Sequence, residues 1–411
     1  MFQRIAVTNF KSLADVCVDL GPFTVLVGNN GSGKSSFLQA IELASWAVKY
    51  ESLNEALAVH HIDFRDLVYL RSPRVAITFS AVVDASDSGP SFPKHTAHVA
   101  MKIAKRRYVY LARELILQYG STIATSPFSI DGGPSIRVAK EMPGAEIKYE
   151  NVSLGHSLLR DVLLARDAEK NFPALRRVAG HFMGYVHYEI WGPEKLRNSS
   201  NLKSVGLWEP DQTGLGKSGE NLPALLRTIR DGPEDNWLGL LKELRNAYPN
   251  IRDIVFRRGL EKRELGLLFV EDSPGSEANL VYRPSQMSDG FLRILALLAI
   301  KYQPTPLALL GYEEPENGLH PSALIDCVRH LKDVVRKGTQ VIVTTHSPYL
   351  LNYLLEDEAE PRAELRLVLR KKGKTTISKP DPEKIDRARR QGFGVGELWG
   401  MLLNEKDLAQ K

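Results

Sequence analysis

Residues 25–44 read VLVGNNGSGKSSFLQAIELA. An apolar, β-branched run enters a glycine-rich turn, and the residues beyond it set their apolar side chains on one face of a helix. Gly28, Asn29, Asn30, Gly31, Ser32, Gly33, Lys34 and Ser35 fit the pattern GxxxxGK[ST] in full. Glycine lets backbone N–H groups curl round an anion where a Cβ would clash, and the following helix aims its positive end at the same place. A chance glycine turn is the competing reading; the strand before and the helix after weigh against it. Lys34 is expected to reach the β- and γ-phosphates of a nucleotide, and Ser35 to ligate Mg²⁺, which prefers hard oxygen donors. Asn29, Asn30, Gly31, Ser32, Gly33 and Ser36 complete the expected binding set.

A second motif lies far along the chain. Residues 307–321, LALLGYEEPENGLHP, read as a buried strand that delivers Glu313 and Glu314 to its C-terminal end, where ligands bind in parallel sheets. Neighbouring carboxylates point in different directions and can divide the work. Glu313 would hold the Mg²⁺ or its water, and Glu314 would polarise an attacking water as general base. A surface acidic turn is the bland alternative, and the continuous apolar strand argues against it. His346 ends the strand-like VIVTT and can touch a terminal phosphate; alone it would be a structural histidine. Ser288, Asp289 and Gly290 open the helical FLRILALL, where a serine and a glycine at a helix start leave N–H groups for an anion. Most such starts are ordinary caps, and only the position shortly before the Glu-Glu strand strengthens this one.

The four motifs in this order, with IAVTNFKSLADVCVDLGPFTVLVGNNGSGKSS, SDGFLRILAL, EEPENGLHP and TTHSPYLL, resemble the ATP-binding-cassette ATPases. More narrowly, they resemble the RecF/SMC-like branch and its bacterial "AAA family ATPase" relatives of overcoming-lysogenization-defect and anti-phage systems. The resemblance covers residues 1–50 and 280–352; the middle agrees only in outline, as in GPEKLRNSS and SGENLPALL. It implies an α/β P-loop NTPase of ABC-ATPase head type, a mixed sheet with flanking helices and an inserted α+β lobe. The head would be split into residues 1–80 and 276–411 by a lobe at 81–275. It implies ATP and Mg²⁺ as ligands and a homodimer or higher homo-oligomer in which Ser288 and Gly290 of one subunit close on the phosphate turn of another. His346 takes a switch role, Lys11 brings a cation to the nucleotide, and residues 317–320 fall in a dimer-contact loop. Three features depart from the pattern. Glu313 stands where aspartate is commonest, the signature reads MSDGF, and the lobe-connecting glutamine has only Gln118 and Gln212 as unsupported candidates.

Further along, RIAVTNF, FTVLVG and RVAITFSAVVD read as strands, and YVYLARELILQYG continues a sheet. The stretch from residue 85 to 275 otherwise reads as irregular, with Pro/Gly/Ser clusters and helices at HSLLRDVLLARDAEK and NLPALLRTIRD. PSALIDCVRHLKDVVRKG is a helix stopped near Gly338, and ELRLVLRKKGKTTISKP a hairpin about a Lys-Gly turn.

A net charge of +5 permits a nucleic-acid partner without requiring one. Cys17 and Cys327 alone offer neither a disulfide framework nor a zinc pair, which fits a reducing cytoplasmic setting. No secretory leader or membrane span is expected; the apolar run 291–300 is too short and contains Arg293. His60, His61 and Asp63 fit no metal spacing. Lys102, Lys105, Arg106 and Arg107 favour a solvated edge over a nucleic-acid groove, and core packing explains Trp191, Trp208 and Trp237 at least as well as base stacking does. Arg370, Lys371, Lys372 and Lys374 read as a solvated hairpin tip. The insert lacks the heptads of a long coiled coil. Only 65 residues follow His346, too few for the Toprim nuclease domain carried by defence nucleases of the branch. The expectation is therefore an ATPase acting as sensor or motor in a DNA-linked or anti-phage system, with a separately encoded effector and possible double-stranded DNA. The alternative is an ATP-dependent switch that binds a protein partner and no nucleic acid; a transporter motor is disfavoured.

Overall fold

Alternation of apolar and polar residues makes the first strands. Ile77, Phe79, Ala81 and Val83 are buried at period two along Ile77–Asp84, with half-exposed residues between them. The computed structural model describes residues 1–71, 76–84, 96–105, 109–118, 121–127, 136–140, 146–150, 157–165, 167–190, 192–198, 200–201, 214–258, 264–273, 279–356, 359–381, 383, 390 and 396. The chain divides into two units, Met1–Val186 with Glu364–Pro380, and His187–Ala363 with what is described of residues 381–411.

The first unit holds an eight-stranded antiparallel sheet. Its order is Leu13–Asp19, Phe2–Phe10, Ile77–Asp84, Thr96–Lys105, Val109–Gln118, Ser121–Pro127, Ile136–Lys140 and Glu146–Glu150. The sheet strand expected within YVYLARELILQYG is found at Val109–Gln118, and the irregular reading of the strands Thr96–Lys105, Ser121–Pro127, Ile136–Lys140 and Glu146–Glu150 is corrected. Ala97, Val99, Met101 and Ile103 are buried at strict period two, and each strand of this meander pairs with its sequence neighbour. A second set of strands carries the turn. Phe23–Val27, buried throughout, pairs in parallel with Glu364–Lys371, which returns antiparallel as Lys374–Ser378. The hairpin turns on Lys372 and Gly373, both at positive φ, the two-residue geometry that matches strand twist. The helix Lys34–Lys49 is buried on most of its surface. Ser45 Oγ donates to Phe182 O and Lys49 Nζ to Tyr185 O, tying it to the helix Pro173–Met183 and the residues beyond. Phe182 meets Phe2 edge-to-face at 5.2 Å. Each such fully buried phenyl contributes about 2 kcal/mol by leaving water.

In the second unit Leu309–Glu313 and Gln340–Thr345 pair in parallel, register Glu313↔Thr344, with the helix Pro321–Arg336 as crossover. That helix stops at Gly338, which takes φ 97°. The helix Asp289–Tyr302 is buried from Phe291 to Lys301, and Phe291 packs edge-on against Tyr248 and Phe269 at 4.9 Å each. Phe269 belongs to an antiparallel sheet of Ser200–Asn201, Glu264–Glu271 and Ile251–Arg258, with Leu280–Tyr282 also on Glu264–Glu271. Lys301, 5% exposed at its side chain, is neutralised by Glu243 and Asp333, each at 2.6 Å. No helix among the described residues is long and apolar enough to cross a membrane.

Candidate functional site

In the first unit the strand Phe23–Val27 ends in a turn whose neighbours leave no room for a side chain at Gly28 or Gly33. A Cβ on Gly28 would stand 2.1 Å from the Val368 carbonyl oxygen. Gly33 takes φ 111°, and a Cβ there would meet Thr375 Oγ1 at 2.3 Å. The hairpin 364–378 therefore moulds the turn. Thr375 Oγ1 donates to Ser32 O at 2.7 Å and lies 2.8 Å from Ser12 Oγ, and Arg370 Nη1 donates to Gly31 O at 3.3 Å. Arg370, Lys371, Lys372 and Lys374 are all exposed, as a solvated hairpin tip requires.

Three observations fit this turn to a phosphate. The helix Lys34–Lys49 starts from Gly33 with no side-chain cap and no acidic residue in its first turn, so its leading N–H groups suit an anion. Ser32 is buried, and its Oγ has no hydrogen-bond partner among the described residues. The Lys34 ammonium folds over the turn, donating to Gly28 O at 2.8 Å and Asn29 O at 3.3 Å. Asn29, Asn30 and Gly31 are exposed, and Ser35 and Ser36 are half-buried in the helix's first turn. Lys11, at φ 47°, donates from Nζ to Gln39 Oε1 on the same helix at 2.5 Å.

In the second unit the buried strand Leu309–Glu313 ends as foreseen. Glu313 is 4% exposed. Glu314 adopts φ 44°, a conformation costing of order 1 kcal/mol outside glycine. Its surroundings hold it there. Its N–H donates to Thr344 O at 2.9 Å, Asn317 Nδ2 donates to Oε2 at 2.9 Å, and His346 Nδ1 lies 3.0 Å from Oε1. A carboxylate only accepts, so His346 donates through Nδ1. His346 is exposed, whereas Thr345 beside it is buried and donates to Glu316 Oε1. Burial pushes the Glu316 carboxyl up, against the Thr345 hydrogen bond.

Ser288 caps the helix Asp289–Tyr302, its Oγ accepting from Phe291 N at 3.2 Å, and is exposed. Gly290 is half-buried; a Cβ there would meet neighbours at 3.7 Å, which is ordinary contact. Two residues missed in the sequence hold these motifs. Arg197, from the GPEKLRNSS outline match, donates to Met287 O at 3.1 Å and Asp289 Oδ1 at 2.6 Å. His187 sits 2.9 Å from Glu313 Oε1. Gly318, φ 70°, lies over Arg293, and His320 caps the helix Pro321–Arg336.

The set-aside signals resolve in detail. His60 stacks on Trp46 at 4.1 Å and bonds Tyr50 Oη at 2.9 Å, while Asp63 caps the short helix Phe64–Leu67. Lys102 is exposed, and Lys105 faces Asp63 at 3.7 Å. Trp237 is buried beside Phe256. Arg106, Arg107, Trp191, Trp208, Gln212 and the side chain of Gln118 lie outside the described residues. Cys17 and Cys327 are both free thiols.

A family model described as "AAA ATPase domain" matches residues 1–75, and one described as "AAA domain, putative AbiEii toxin, Type IV TA system" matches residues 208–352. The chain is 23% identical to the Old nuclease of Escherichia phage P2 over 85% of its length and 56% of the relative's. It is 49% identical to the OLD nuclease of Thermus scotoductus over 43 residues, 10% of this chain and 8% of that one. It is 27% identical to the DNA replication and repair protein RecF of Haemophilus ducreyi over 33% of this chain and 36% of RecF. The chain thus spans at most 56% of the length of these curated relatives. An SMC head bound to the C-winged helix domain of ScpA shares its fold at TM-score 0.55, with 16% identity, covering 94% of this chain and 99% of that one. A second SMC head, with an extended coiled coil and bound to the C-terminal domain of ScpA derived from Pyrococcus furiosus, shares it at 0.50, with 15% identity, covering 95% and 98%. The fold is thus the α/β P-loop fold of the SMC heads, a mixed sheet with flanking helices. Over parts of its length the chain is similar in sequence to the OLD nucleases and to RecF.

Proposed function

We propose that this chain binds Mg²⁺–ATP and hydrolyses it to ADP and phosphate. The observation that carries the reading is the turn at residues 28–33, shaped by Val368 and Thr375 so that only glycine fits at 28 and 33, and leading into an uncapped helix. Backbone N–H groups of the turn and Lys34 hold the β- and γ-phosphates, with Ser32, Asn29, Asn30 and Lys11 around them. Ser35 and Glu313 offer the hard oxygen donors suited to magnesium, which when bound neutralises phosphate charge. Glu314 takes the proton of the attacking water, and His346, bonded to Oε1, orients that carboxylate and stands ready for the terminal phosphate. Ser288 and Gly290, at an accessible helix start, complete the site of a second copy in a head-to-tail dimer.

The domain division used by this function is a head of residues 1–80 and 276–411 with the segment 81–275 between. The output we infer is that of a sensor or motor in a DNA-linked or anti-phage system, in the cytoplasm, with a separate effector protein. The relatives named as nucleases and as a replication and repair protein support it. A protein-regulated switch is the second reading, favoured by Leu280 and Val281, 42% and 55% exposed on the strand Leu280–Tyr282. Phosphate release with and without double-stranded DNA separates the two. Stimulation that high salt abolishes supports the DNA-linked reading, and a rate indifferent to DNA supports the switch. The ATPase itself is tested with Lys34→Ala, which should lose nucleotide binding; an alanine chain that binds ATP normally contradicts the site.

A further inference from the structure

The second unit begins at His187, in the strand Tyr185–Tyr188. The imidazole is wholly buried. Nε2 lies 2.9 Å from Glu313 Oε1, and Glu313 is itself 2% exposed at its side chain. The two residues are 126 positions apart. On the other side of the ring, Nδ1 lies 3.6 Å from Glu189 Oε1, and that same oxygen lies 3.1 Å from Lys217 Nζ. A line of alternating groups therefore runs from Lys217 through Glu189 and His187 to Glu313.

Burying a carboxylate this deeply is costly unless a donor meets it. Glu313 accepts and His187 donates, so one carboxylate oxygen is committed to the ring, and the rotation of the whole group is fixed with it. Hydrogen bonds behind a ligand are what orient a ligand. His187, Glu189 and Glu313 also have their ligand atoms within 4.8 Å of one another, close enough to hold a cation among themselves. The direct Nε2 bond to Oε1 uses the atoms such a cation would need, so the geometry favours positioning over a metal triad.

We propose that His187 is a positioning residue of the ATPase centre, holding Glu313 in the orientation that receives magnesium. The proposal rests on the reading of Glu313 as the magnesium residue. The test is an equilibrium titration without turnover. The full chain is mixed with a fluorescent, non-hydrolysable ATP analogue, and Mg²⁺ is added until binding is half-maximal. His187→Ala should raise the Mg²⁺ needed by about 10-fold, as losses behind metal ligands do, while the affinity at saturating Mg²⁺ stays near that of the unmodified chain. His187→Gln, which can place an amide N–H where Nε2 stands, should restore most of the difference. A folded alanine chain with unchanged Mg²⁺ dependence, or a Gln chain as impaired as the Ala chain, overturns the proposal.

Should His187→Ala fail to fold, His187→Asn replaces it. Its shorter amide cannot reach Glu313 and should shift the Mg²⁺ dependence the same way; no shift overturns the proposal. Glu313→Gln separates the two levels. If it moves the Mg²⁺ dependence while the histidine variants do not, the positioning role alone fails. If it leaves the dependence untouched, the magnesium reading fails and the proposal with it. Zn²⁺ bound by the nucleotide-free chain and lost in His187→Ala would overturn the proposal in favour of a metal triad.

Discussion

The turn at residues 28–33 is made of backbone, and the strand end at residues 313–316 is made of side chains. At the turn, specificity comes from the absence of atoms. Gly28 is pressed against Val368 O, and Gly33 against Thr375, so the turn proposed to hold phosphate tolerates no added volume at those two positions. At the strand end, specificity comes from pairing. Glu313 is met by His187, Glu314 by Asn317 and His346, and Glu316 by Thr345. Each carboxylate stays in place because a donor faces it. The first region should break when anything is added, the second when a partner is taken away.

The largest expected effect comes from adding one methyl group. Gly28→Ala puts a carbon 2.1 Å from a backbone oxygen and should weaken ATP-analogue binding by about 100-fold or more, because displaced backbone costs several kcal/mol. Gly31→Ala is its control. That residue takes φ 74° with open space around it, so only the left-handed penalty of about 1–2 kcal/mol applies. Equal losses at 28 and 31, read by equilibrium binding, would break the contrast.

Paired carboxylates, at the strand end and at Glu243 beside Lys301, should answer to pH instead. Burial raises the Glu243 carboxyl, but His330, 3.1 Å away, and hydrogen bonds from Lys301 and Tyr302 outweigh it and bring it down to about 2. A depressed carboxylate gives stability that is whole above its unfolded value, near 4.5, and is lost as pH falls towards 2. Thermal melts from pH 6 to 2.5 should show that loss, and Glu243→Gln should flatten it. Glu316 has the opposite sign. Its carboxyl is raised by burial, so its contribution falls as pH rises above the unfolded value, and Glu316→Gln should melt higher than the unmodified chain at pH 8 but not at pH 4. The smallest effect is Ser288→Ala, which removes the cap on Phe291 N and should cost about 1 kcal/mol in unfolding free energy. An alanine chain that is as stable but slower in hydrolysis would sharpen the proposed role in a second copy's site.

The same contrast explains what the sequence disclosed. The turn, the apolar strand before Glu313 and the helix after Ser288 are local, and their residue types in order fix their conformation. The meander at residues 96–150 was hidden by Pro/Gly/Ser clusters that do bound its strands, although Ala97, Val99, Met101 and Ile103 kept the period. The solvated tip at Arg370 was legible, but nothing nearby in sequence tells that residues 364–367 return beside 24–27. Lys34 could be proposed as a phosphate ligand from eight consecutive residues. His187 could not, since its partner lies 126 positions away and a lone histidine in YVHYEI carries no signal of its own. Side-chain pairing across long separations is set by topology, and only the folded chain reveals it.

The most direct test of the whole account is to follow ATP-analogue binding and phosphate release in the same preparations of the unmodified chain and Glu314→Gln. The account predicts equal binding, with release slower by about 10²–10⁴-fold when the general base is gone. Equal release from both chains, or no Mg²⁺–ATP binding by the unmodified chain, would contradict it.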